Sequence, residues 1–385
     1  MVTIVGDGIS KNDFFKLNLN IENYDFVLCD SSLDLEFKNI KKLKFRDIKE
    51  FISSNRDKNI LYIVTGNPTF FSAGSIIGPF LKREEISFTI LNNTSSKDYL
   101  LAKLSISDSQ VNSISLHGRD RIDLSRFLIE KYTFILADRF TIDILKKALK
   151  FIKKESYEIT IASKLGSSDE KIFSIDLENF RENSDLLMPY SILIEKKFES
   201  KSGFTKEREF YQDEGMITKK SKRILTIANL ELEPNMILFD IGAGSGSVGI
   251  DSYKNHKIKT IFFEKNPKRY EDILKNLTEH NIVDTEAYLG DAIENLKTLP
   301  LADRIFIGGG GEKLFLNFMS LFEKLKESGV ILINIVSLTN LNTLLRVLKE
   351  NTLNFELESI SIEDYNTKLL ISTPQRVMFQ IKVKK

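Results

Sequence analysis

Cysteine and histidine are both scarce in this sequence. Its 385 residues include one cysteine, which excludes an internal disulfide. Three scattered histidines and that one cysteine disfavour a zinc cluster, so we expect no metal site. An excess of either charge is missing as well, because 55 basic residues balance 54 acidic ones for a net charge of +1. Such a balance does not indicate a surface that binds nucleic acid.

Long apolar runs are absent too. No apolar run approaches the ~18 residues of a membrane span. The first residues, MVTIVGDG, lack the basic segment and apolar stretch that mark a signal peptide. The sequence therefore predicts a protein of the reducing cytoplasm with no membrane partner. Its hydrophobic fraction of 42% and charged fraction of 28% are ordinary for a globular protein, and its length suits two domains of ~100–200 residues.

Strands and helices alternate through the second half of the sequence, which predicts an α/β domain with a mostly parallel sheet. Apolar strands are predicted at residues 236–241, 259–264, 286–291, 304–308 and 329–336. Helices are predicted from Ser247, from Asn266-Pro267, at 312–326 and at 338–349. Two last strands, at 355–362 and 375–383, have no helical pattern between them. We therefore expect an antiparallel pair at one edge of a seven-stranded sheet.

The first half of the sequence also has an α/β pattern. One set of strands is predicted at residues 2–5, 25–29, 60–65 and 86–91. Residues 111–117 lead onward to a second set at 133–137, 158–162, 171–175 and 191–196. Two subdomains of roughly a hundred residues each fit this pattern. The polar segment FESKSG, residues 198–203, is the predicted linker between a domain at 1–197 and a domain at 204–385.

A glycine-rich turn, FDIGAGSGSVGID at residues 239–251, contains two overlapping fingerprints. Gly242, Gly244 and Gly246 form G-x-G-x-G, whereas Gly244, Gly246 and Gly249 form the dinucleotide pattern G-x-G-x-x-G. Glycine permits positive φ and lets backbone N–H groups approach a ligand, and the following helix N-terminus adds partial positive charge. These properties suit a dinucleotide and an adenosyl ligand equally.

Acidic residues at three successive strand ends favour S-adenosyl-L-methionine, and we expect all three, Asp240, Glu264 and Asp291, to bind it. Asp240 precedes the first glycine, where dinucleotide sites usually have an apolar residue. Glu264 ends the second strand, 22 residues beyond Gly242, and could accept from ribose hydroxyls. Asp291 ends the third strand, where the edge of an adenine would lie. A dinucleotide enzyme is the minor alternative, and a structural turn with solvated acids is the other.

The second half resembles the decarboxylating precorrin methyltransferases, which methylate carbon 15 of the corrin macrocycle. The resemblance rests on the order of FYQDEGMITKKSKR, DIGAGSGSVGID, FFEKNPKR, LGDA, RIFIGGGG and NIVS. It implies a Rossmann-like class I methyltransferase domain. It also implies cofactor contacts from Thr218, Gly242, Ala243, Gly244, Ser245, Gly246, Glu264 and Ala292. On this interpretation the G-x-G-x-x-G register through Gly249 is coincidental.

Candidate substrate residues surround these motifs. Gly308, Gly309, Gly310 and Gly311 follow a strand, and they form either a flexible turn or a close backbone approach to a flat substrate, which the resemblance favours. Asn334 is either a satisfied structural amide or a substrate donor. Lys219, Lys220 and Arg223 are either partners for substrate carboxylates or a solvated basic helix face.

The first half resembles the tetrapyrrole methylases, and especially the precorrin methyltransferase that acts on carbon 5. The motifs are VGDGIS with Gly6 and Gly8, VTGNPTFFSAG, and SISLHGR with His117. The resemblance implies a cofactor site that also includes Gly66, Asn67 and Pro68. His117 is a candidate substrate residue or a satisfied histidine. The family usually has an aspartate at the position of Asn67, and Pro-Gly in place of Ile9-Ser10.

The carbon-5 enzyme is often fused ahead of the carbon-15 enzyme, which is the order found here. The sequence as a whole therefore resembles the bifunctional precorrin-6Y C(5,15)-methyltransferases of cobalamin biosynthesis. This resemblance implies S-adenosyl-L-methionine as cofactor, a precorrin or cobalt-precorrin macrocycle as substrate, and a homo-oligomer. Two alternatives stay open: an inactive N-terminal scaffold beside an active C-terminal half, and an unrelated small-molecule or RNA methyltransferase.

Overall fold

The computed structural model describes residues 1–30, 33, 40–180, 188–199, 202–213, 215–366 and 371–385. The chain divides into two compact units. Unit 1 comprises Met1–Gly118, Lys131–Thr141 and Ile159–Glu195. Unit 2 comprises Arg119–Glu130, Ile142–Glu158 and Lys196–Lys385. The linker at 198–203 and the two domain ranges stay predictions, and Ser200 and Lys201 lie outside the described residues.

Unit 1 contains two five-stranded sheets. The first consists of β1 (Val2–Gly6), β2 (Phe26–Asp30), β3 (Ile40–Leu43), β4 (Ile60–Val64) and β5 (Phe88–Leu91). Its order is β3-β2-β4-β1-β5, and its pairings are parallel. The central strands VTIVG and ILYIV are buried along their whole length, as expected for a parallel sheet that is covered on both faces.

The second sheet is mixed. It consists of β6 (Val111–Ser115), β7 (Tyr132–Leu136), β8 (Tyr157–Ser163), β9 (Lys171–Ile175) and β10 (Tyr190–Lys196), in the order β6-β7-β10-β8-β9. The helices before residue 150 are α1 (Lys11–Phe15), α2 (Phe45–Ser54), α3 (Gly74–Arg83), α4 (Ser96–Leu104), α5 (Leu124–Phe127) and α6 (Thr141–Ala148). The sequence pattern predicted both sets of strands but missed β3, which is short and carries two exposed lysines.

Unit 2 is built on one seven-stranded sheet in the order β13-β12-β11-β14-β15-β19-β16. Its strands are β11 (Ile237–Ile241), β12 (Lys259–Glu264), β13 (Glu286–Leu289), β14 (Ala302–Ile307), β15 (Leu325–Ile335), β16 (Phe355–Ile360) and β19 (Met378–Lys384). The first five are parallel, and β19 runs antiparallel to both β15 and β16. The predicted fold class and the antiparallel edge pair are confirmed.

Helices cover this sheet: α7 (Lys220–Asn229), α8 (Ser247–His256), α9 (Pro267–Glu279), α10 (Ala292–Asn295), α11 (Glu312–Leu316), α12 (Phe318–Glu323) and α13 (Leu338–Glu350). The helix predicted at 312–326 is two short helices that meet at Asn317. A separate hairpin of β17 (Glu363–Asn366) and β18 (Ile371–Pro374), which the sequence pattern missed, lies between the last two sheet strands.

The starts of α8 and α9 place the site described below. Asn266 caps α9 by accepting from the backbone N–H groups of Lys268 and Arg269, and Pro267 suits the first helical position. Gly246 precedes α8 in the left-handed conformation, with φ of 74°. Within the described ranges, no helix combines the length and the apolar character that a membrane span requires.

Gly249 gives α8 its close contact with the sheet. A Cβ added at this position would lie 2.4 Å from a ring carbon of Phe262 and 2.6 Å from Cγ2 of Thr260. The interpretation of Gly249 as coincidental was therefore wrong in one respect. It occupies the position where the third glycine of G-x-G-x-x-G permits close packing of helix on strand.

We expect Gly249→Ala to destabilise α8 by about 1–3 kcal/mol, because overpacking against β12 outweighs the better helix propensity of alanine. Gly78→Ala in α3 is the matched control, since a Cβ there meets Ile90 and Phe88 only at ordinary distances of 3.5 and 3.8 Å. The control should stabilise α3 by about 0.5–1 kcal/mol. Hydrogen exchange of the amides in each helix measures both effects, and equal effects in the two helices would contradict the packing argument.

Candidate active site

The glycine turn lies at the carboxyl end of β11, in the middle of the unit 2 sheet. The φ angles of Gly242, Gly244 and Gly246 are 66°, 59° and 74°, a region that favours glycine. The backbone N–H groups of Gly242 and Ala243 both donate to the carbonyl oxygen of Phe263, over 2.9 and 3.1 Å. The turn is thereby held against the end of β12.

The glycine run 308–311 lies beside this turn at the end of β14. A Cβ on Gly242 would lie 2.3 Å from the carbonyl oxygen of Gly309. A Cβ on Gly308 would meet the Phe306 ring at 2.8 Å, and one on Gly310 would meet Leu314 at 2.5 Å. A Cβ on Gly311 would meet no atom of the described chain within 4 Å. Packing within the chain therefore explains Gly308 and Gly310, and it holds Gly309 against Gly242, whereas Gly311 stays open to a substrate.

Glu264 presents its carboxylate to a cavity between these loops. Its Oε2 accepts from Gly244 N over 2.8 Å, and its Oε1 accepts from Asn266 N over 2.9 Å. Each oxygen has a second lone pair for a ligand. The cavity has a volume of about 240 Å³ and is lined by Ile241, Gly242, Phe263, Glu264, Lys265, Arg269, Gly290, Ala292, Gly309, Gly310, Gly311 and Leu314.

Asp240 lies beneath the turn and does not line this cavity. Its side chain is fully buried, and its Oδ2 accepts from Gly249 N over 3.0 Å, inside the first turn of α8. Its Oδ1 has no hydrogen-bond partner in the part of the chain that the structure describes. Burial raises the pKa of Asp240 to about 7, and the negative charge of Glu264 adds to this effect. We expected Asp240 to contact the cofactor directly. In the structure its carboxylate instead supports the turn from below.

Asp291 and Ala292 take different positions at the end of β13. The Asp291 carboxylate accepts from Ile293 N over 2.9 Å and pairs with Lys265 Nζ at 2.9 Å. The hydrogen bond from Lys265 lowers the pKa of Asp291. Ala292 and Gly290 line the cavity, but Asp291 does not. Asp291 therefore caps α10 and binds Lys265 beside the cavity.

Ser245 and Thr218 each accept a hydrogen bond through a backbone carbonyl. The carbonyl oxygen of Ser245 accepts from Asn276 Nδ2 over 2.8 Å, and its buried hydroxyl has no partner among the described atoms. The carbonyl oxygen of Thr218 accepts from Arg223 Nη1 over 2.6 Å. Thr218 is not part of the cavity lining, although the carbonyl oxygen of Met216 lies only 3.6 Å from a Cβ built on Gly244.

The sequence interpretation missed five side chains that line the cavity: Ile241, Phe263, Lys265, Arg269 and Leu314. Three of them, Phe263, Lys265 and Arg269, lie in the motif FFEKNPKR. Their closeness to Glu264 in the sequence could therefore have identified them. Leu314 follows the glycine run by one turn of α11. A larger cavity of about 760 Å³ lies elsewhere in unit 2, beside Lys257 and His280. The smaller cavity is the candidate site because ligands of open α/β sheets bind outside the carboxyl ends of the strands.

Arg223 is not available to a substrate in this structure. Its side chain is fully buried, and its Nε pairs with Asp251 Oδ2 at 2.6 Å. Arg223 is therefore neither a surface partner for substrate carboxylates nor part of a solvated helix face, and both interpretations of it were wrong. Lys219 is exposed immediately before α7, so both interpretations of it stay open.

Asn334 is a satisfied amide. Its Nδ2 donates to Thr226 Oγ1 over 2.9 Å, and its Oδ1 accepts from Gln380 Nε2 over 2.8 Å. This network joins α7 to β15 and β19. Of the two interpretations of Asn334, the geometry favours the structural one.

Unit 1 brings its predicted glycines together. Gly8 N donates to the carbonyl oxygen of Gly66 over 3.1 Å, and a Cβ on Gly6 would lie 1.9 Å from that same oxygen. Pro68 closes the other side, 2.9 Å from the Gly6 Cβ position. Gly66 and Asn67 line a cavity of about 320 Å³, whereas Gly6, Gly8 and Pro68 do not.

Side chains of unit 1 also bind these loops. Asn67 Nδ2 donates to the carbonyl oxygen of Asn93 over 2.6 Å, and Asn93 Nδ2 donates to the carbonyl oxygen of Gly6 over 3.0 Å. Asp7 Oδ1 accepts from Gly66 N over 2.6 Å, and burial raises the pKa of Asp7 to about 6. The sequence interpretation missed Asp7 and Asn93. His117 is exposed at the end of β6 and does not line the cavity.

The unit 2 site fits an adenosyl ligand on its own geometry. A carboxylate with spare lone pairs faces a cavity that is lined on two sides by glycine backbone. Gly311 faces open space at the cavity, whereas a Cβ on Gly242 would strike the Gly309 carbonyl and displace the loops that form the cavity wall. The amino end of α8 lies directly behind the turn. A hydroxyl-rich ligand with a cationic centre is the kind that these groups could hold.

Two family models match this chain. A model described as the precorrin methyltransferase domain matches residues 209–373. A model of the tetrapyrrole (corrin/porphyrin) methylases matches residues 36–180.

Individual relatives match one or both halves. A probable cobalt-precorrin-6B C(15)-methyltransferase (decarboxylating) from Methanococcus vannielii is 32% identical over 160 residues, which are 41% of this chain and 84% of that protein. A precorrin-6Y C(5,15)-methyltransferase (decarboxylating) from a Sinorhizobium species is 26% identical over 302 residues, which are 76% of this chain and 71% of that protein. A crystal structure of a precorrin-6Y C5,15-methyltransferase from Geobacter metallireducens is 27% identical, with a TM-score of 0.46, over 49% of this chain and 100% of that one.

We expect the stability of the protein to depend on pH through Asp240. Between its ordinary pKa of 3.8 and its folded pKa of about 7, the unfolded chain releases a proton that the folded protein keeps. Stability therefore falls as the pH rises through this window, by at most about 1.4 kcal/mol per pH unit, and levels off above it. Asp240→Asn should remove the part of this fall that Asp240 causes, while the part caused by Asp7, whose pKa burial raises to about 6, remains. Urea unfolding of both proteins across the window tests the prediction, and a difference in stability that does not change with pH would contradict it.

Proposed function

Because the chain belongs to the precorrin methyltransferase family, we propose that it methylates carbon 15 of a precorrin or cobalt-precorrin macrocycle and removes carbon dioxide from a ring acetate. The observation that carries the proposal is the Glu264 carboxylate beside the glycine turn, in a cavity at the carboxyl end of the sheet. We further propose that unit 1 methylates carbon 5, because its residues match the tetrapyrrole methylases.

S-adenosyl-L-methionine supplies an activated methyl group when it is bound. The residues of this chain would hold it in place: Glu264 would accept from ribose hydroxyls, and the glycine turn would let backbone N–H groups approach. Asp240 fixes α8 beneath the turn through its bond to Gly249 N. Orientation of donor and ring carbon can lower the barrier by ~7–11 kcal/mol.

In each methyl transfer the methyl–sulfur bond of the donor would break as one carbon–carbon bond to the ring forms. S-adenosylhomocysteine would leave, and the positive charge gained by the ring would be relieved by loss of a proton or of carbon dioxide. In the decarboxylation, the bond from the acetate methylene to its carboxylate breaks, the electron pair passes into the conjugated ring, and a proton restores the methyl group. The substrate is thus its own electron sink. Lys219, exposed at the start of α7, is a candidate partner for the remaining ring carboxylates.

Other parts of the proposal concern assembly and location. A homo-oligomer is supported by the edge strand β16, whose Leu357 is exposed. Cytoplasmic location, with no nucleic acid or membrane as partner, follows from the composition and stays a prediction.

A second candidate function has its own observation. In unit 1, Asn67 and Asn93 bind each other and the carbonyl oxygen of Gly6, so the loops are satisfied by their own chain. This arrangement favours a scaffold in place of a carbon-5 methyltransferase. On this alternative, only unit 2 is catalytic.

Mass spectrometry of the product distinguishes these proposals. The full chain is incubated with labelled S-adenosyl-L-methionine and with cobalt-free and cobalt-containing macrocycles. Two methyl groups gained with one carbon dioxide lost support both activities, and one methyl group with one carbon dioxide supports the scaffold. If the macrocycle is unchanged, the proposed function is wrong.

Glu264→Gln tests which site serves carbon 15. The glutamine has one acceptor oxygen for two backbone N–H groups and the ligand, so we expect the Kd for S-adenosyl-L-methionine to rise by about tenfold or more. Methylation at carbon 15 and decarboxylation should fall together, whereas any methylation at carbon 5 should persist. Glu286→Gln is the control, because the Glu286 carboxylate pairs with Lys259 at 2.8 Å at the opposite end of the strands. An unchanged Kd in Glu264→Gln would place the donor elsewhere.

Gly311→Ala tests the surface proposed for the flat macrocycle. The chain tolerates a Cβ here, because the space is open and the backbone is extended, with φ of −94° and ψ of 178°. If the ring lies on this backbone, the added methyl should raise the KM for the macrocycle by roughly tenfold or more. Because Gly311 also lines the donor cavity, the Kd for S-adenosyl-L-methionine is measured on the same variant, and the rise in KM should exceed any rise in that Kd. An unaltered KM would place the ring on another surface.

A further inference from the structure

An irregular segment, which we call the strap, lies over the glycine turn. It comprises residues 205–213 and 215–218, while Glu214 lies outside the described residues. Its only regular element is a 3-10 turn at Glu207–Glu209. The carbonyl oxygen of Met216 lies 3.6 Å from a Cβ built on Gly244, so the strap passes directly over the turn. Because it is neither α-helix nor strand, its position depends on side chains from elsewhere.

Arg223 binds both ends of the strap. Its Nη2 donates to the carbonyl oxygen of Thr205, and its Nη1 donates to that of Thr218 over 2.6 Å. Its Nε pairs with Asp251 Oδ2 at 2.6 Å, and Asp251 also accepts from Thr205 Oγ1 over 2.8 Å. The guanidinium lies 5.3 Å from the centre of the Phe210 ring, also in the strap. One buried side chain therefore fixes the separation between the two ends.

Asn276 binds the middle of the strap to the glycine turn. Its Oδ1 accepts from Tyr211 N over 2.8 Å, and its Nδ2 donates to the carbonyl oxygens of Tyr211 and Ser245, over 2.9 and 2.8 Å. Asn276 is fully buried in α9. Asp213 adds a third connection, because its carboxylate accepts from Arg269 Nε over 3.5 Å, and Arg269 lines the cavity.

Stability alone is a weak reason for this arrangement. A buried ion pair usually contributes little more than well-packed apolar residues would, because both charges are removed from water. The planar guanidinium, however, fixes the direction of each of its hydrogen bonds. A lysine could keep the charge beside Asp251 but could not reach both carbonyl oxygens. Arginine is therefore required here for the directions of its hydrogen bonds more than for its charge.

We propose that Arg223 and Asn276 are positioning residues for methyl transfer. They hold the strap against the turn from Gly242 to Gly246 and thereby set the affinity for the methyl donor without touching it. This inference rests on the proposed function, since it assumes that S-adenosyl-L-methionine binds at the turn. It predicts an effect on donor binding that a purely stabilising residue would not have.

Arg223→Lys in the full chain is the main test, with Arg304→Lys as the matched control. Arg304 is another buried arginine of unit 2, and it donates to the carbonyl oxygens of Leu230, Glu231 and Asp303, away from the strap. Both variants lose hydrogen bonds from a charged group to backbone, so both should lower the unfolding temperature. Only Arg223→Lys should raise the Kd for S-adenosyl-L-methionine in calorimetry, by about tenfold or more.

Two further measurements separate position from stability. Amide hydrogen exchange at residues 205–218 should become faster in Arg223→Lys and unchanged in Arg304→Lys. Under turnover, Arg223→Lys should raise the KM for the donor far more than it changes kcat. Asn276→Ala, which removes the bonds to Tyr211 and Ser245, should reproduce the higher donor Kd if Arg223→Lys does not fold.

The outcomes distinguish the two proposals. An unchanged donor Kd in Arg223→Lys with a faster-exchanging strap would overturn the inference and leave the proposed function intact. An equal loss of donor affinity in Arg304→Lys would assign the effect to stability and would also overturn it. If the wild-type chain does not bind S-adenosyl-L-methionine, the proposed function fails and this inference fails with it.

Discussion

The close approach of two backbones, at Gly242 and Gly309, is the constraint on which the unit 2 site depends. The strands β11 and β14 are neighbours, and their following loops come together so closely that any side chain at 242 would meet the Gly309 carbonyl at 2.3 Å. With φ of 66°, Gly242 sends the chain towards β12, where the Phe263 carbonyl accepts from two backbone N–H groups of the turn. Gly244 N therefore donates to Glu264 instead, and a cavity opens between the ends of β11, β12 and β14.

Three acids at strand ends were all predicted to bind the cofactor, and burial gives them different surroundings. Glu264 keeps free lone pairs towards the cavity, Asp240 lies fully beneath the turn, and Asp291 is paired with Lys265. The apolar runs and the terminal acids were visible in the sequence, so the position of each acid at the edge of the sheet could be predicted. The direction in which each acid points could not be predicted. It depends on contacts with Gly249 and Lys265, which form only when α8 and the loop after β12 pack against the strand ends.

The parts of the fold that could not be predicted depend on distant partners. The ion pair of Arg223 joins α7 to Asp251 in α8, and a basic helix pattern in KKSKR gives no sign of such burial. The stretches Arg119–Glu130 and Ile142–Glu158 belong to unit 2 although they lie in the first half of the sequence. They are connected to the rest of unit 2 by hydrogen bonds between residues far apart in the sequence, such as Arg121 to the Asn235 carbonyl and Asp284 N to the Ala148 carbonyl. Such bonds have no periodicity, so a pattern of apolar residues cannot reveal them.

The two units use their loop-end polar residues in different ways, and this difference bears on which of them is catalytic. Glu264 satisfies two backbone N–H groups and still has acceptor capacity, because a carboxylate offers about four lone pairs. Asn67 has one acceptor oxygen, which already accepts from the Thr69 N–H and hydroxyl, and its amide donates to Asn93. A neutral amide can therefore close a loop on its own chain with little capacity left, whereas a carboxylate stays available to a ligand. Glu264 in unit 2 therefore keeps acceptor capacity for a cofactor, whereas Asn67 in unit 1 spends its acceptor on its own loop.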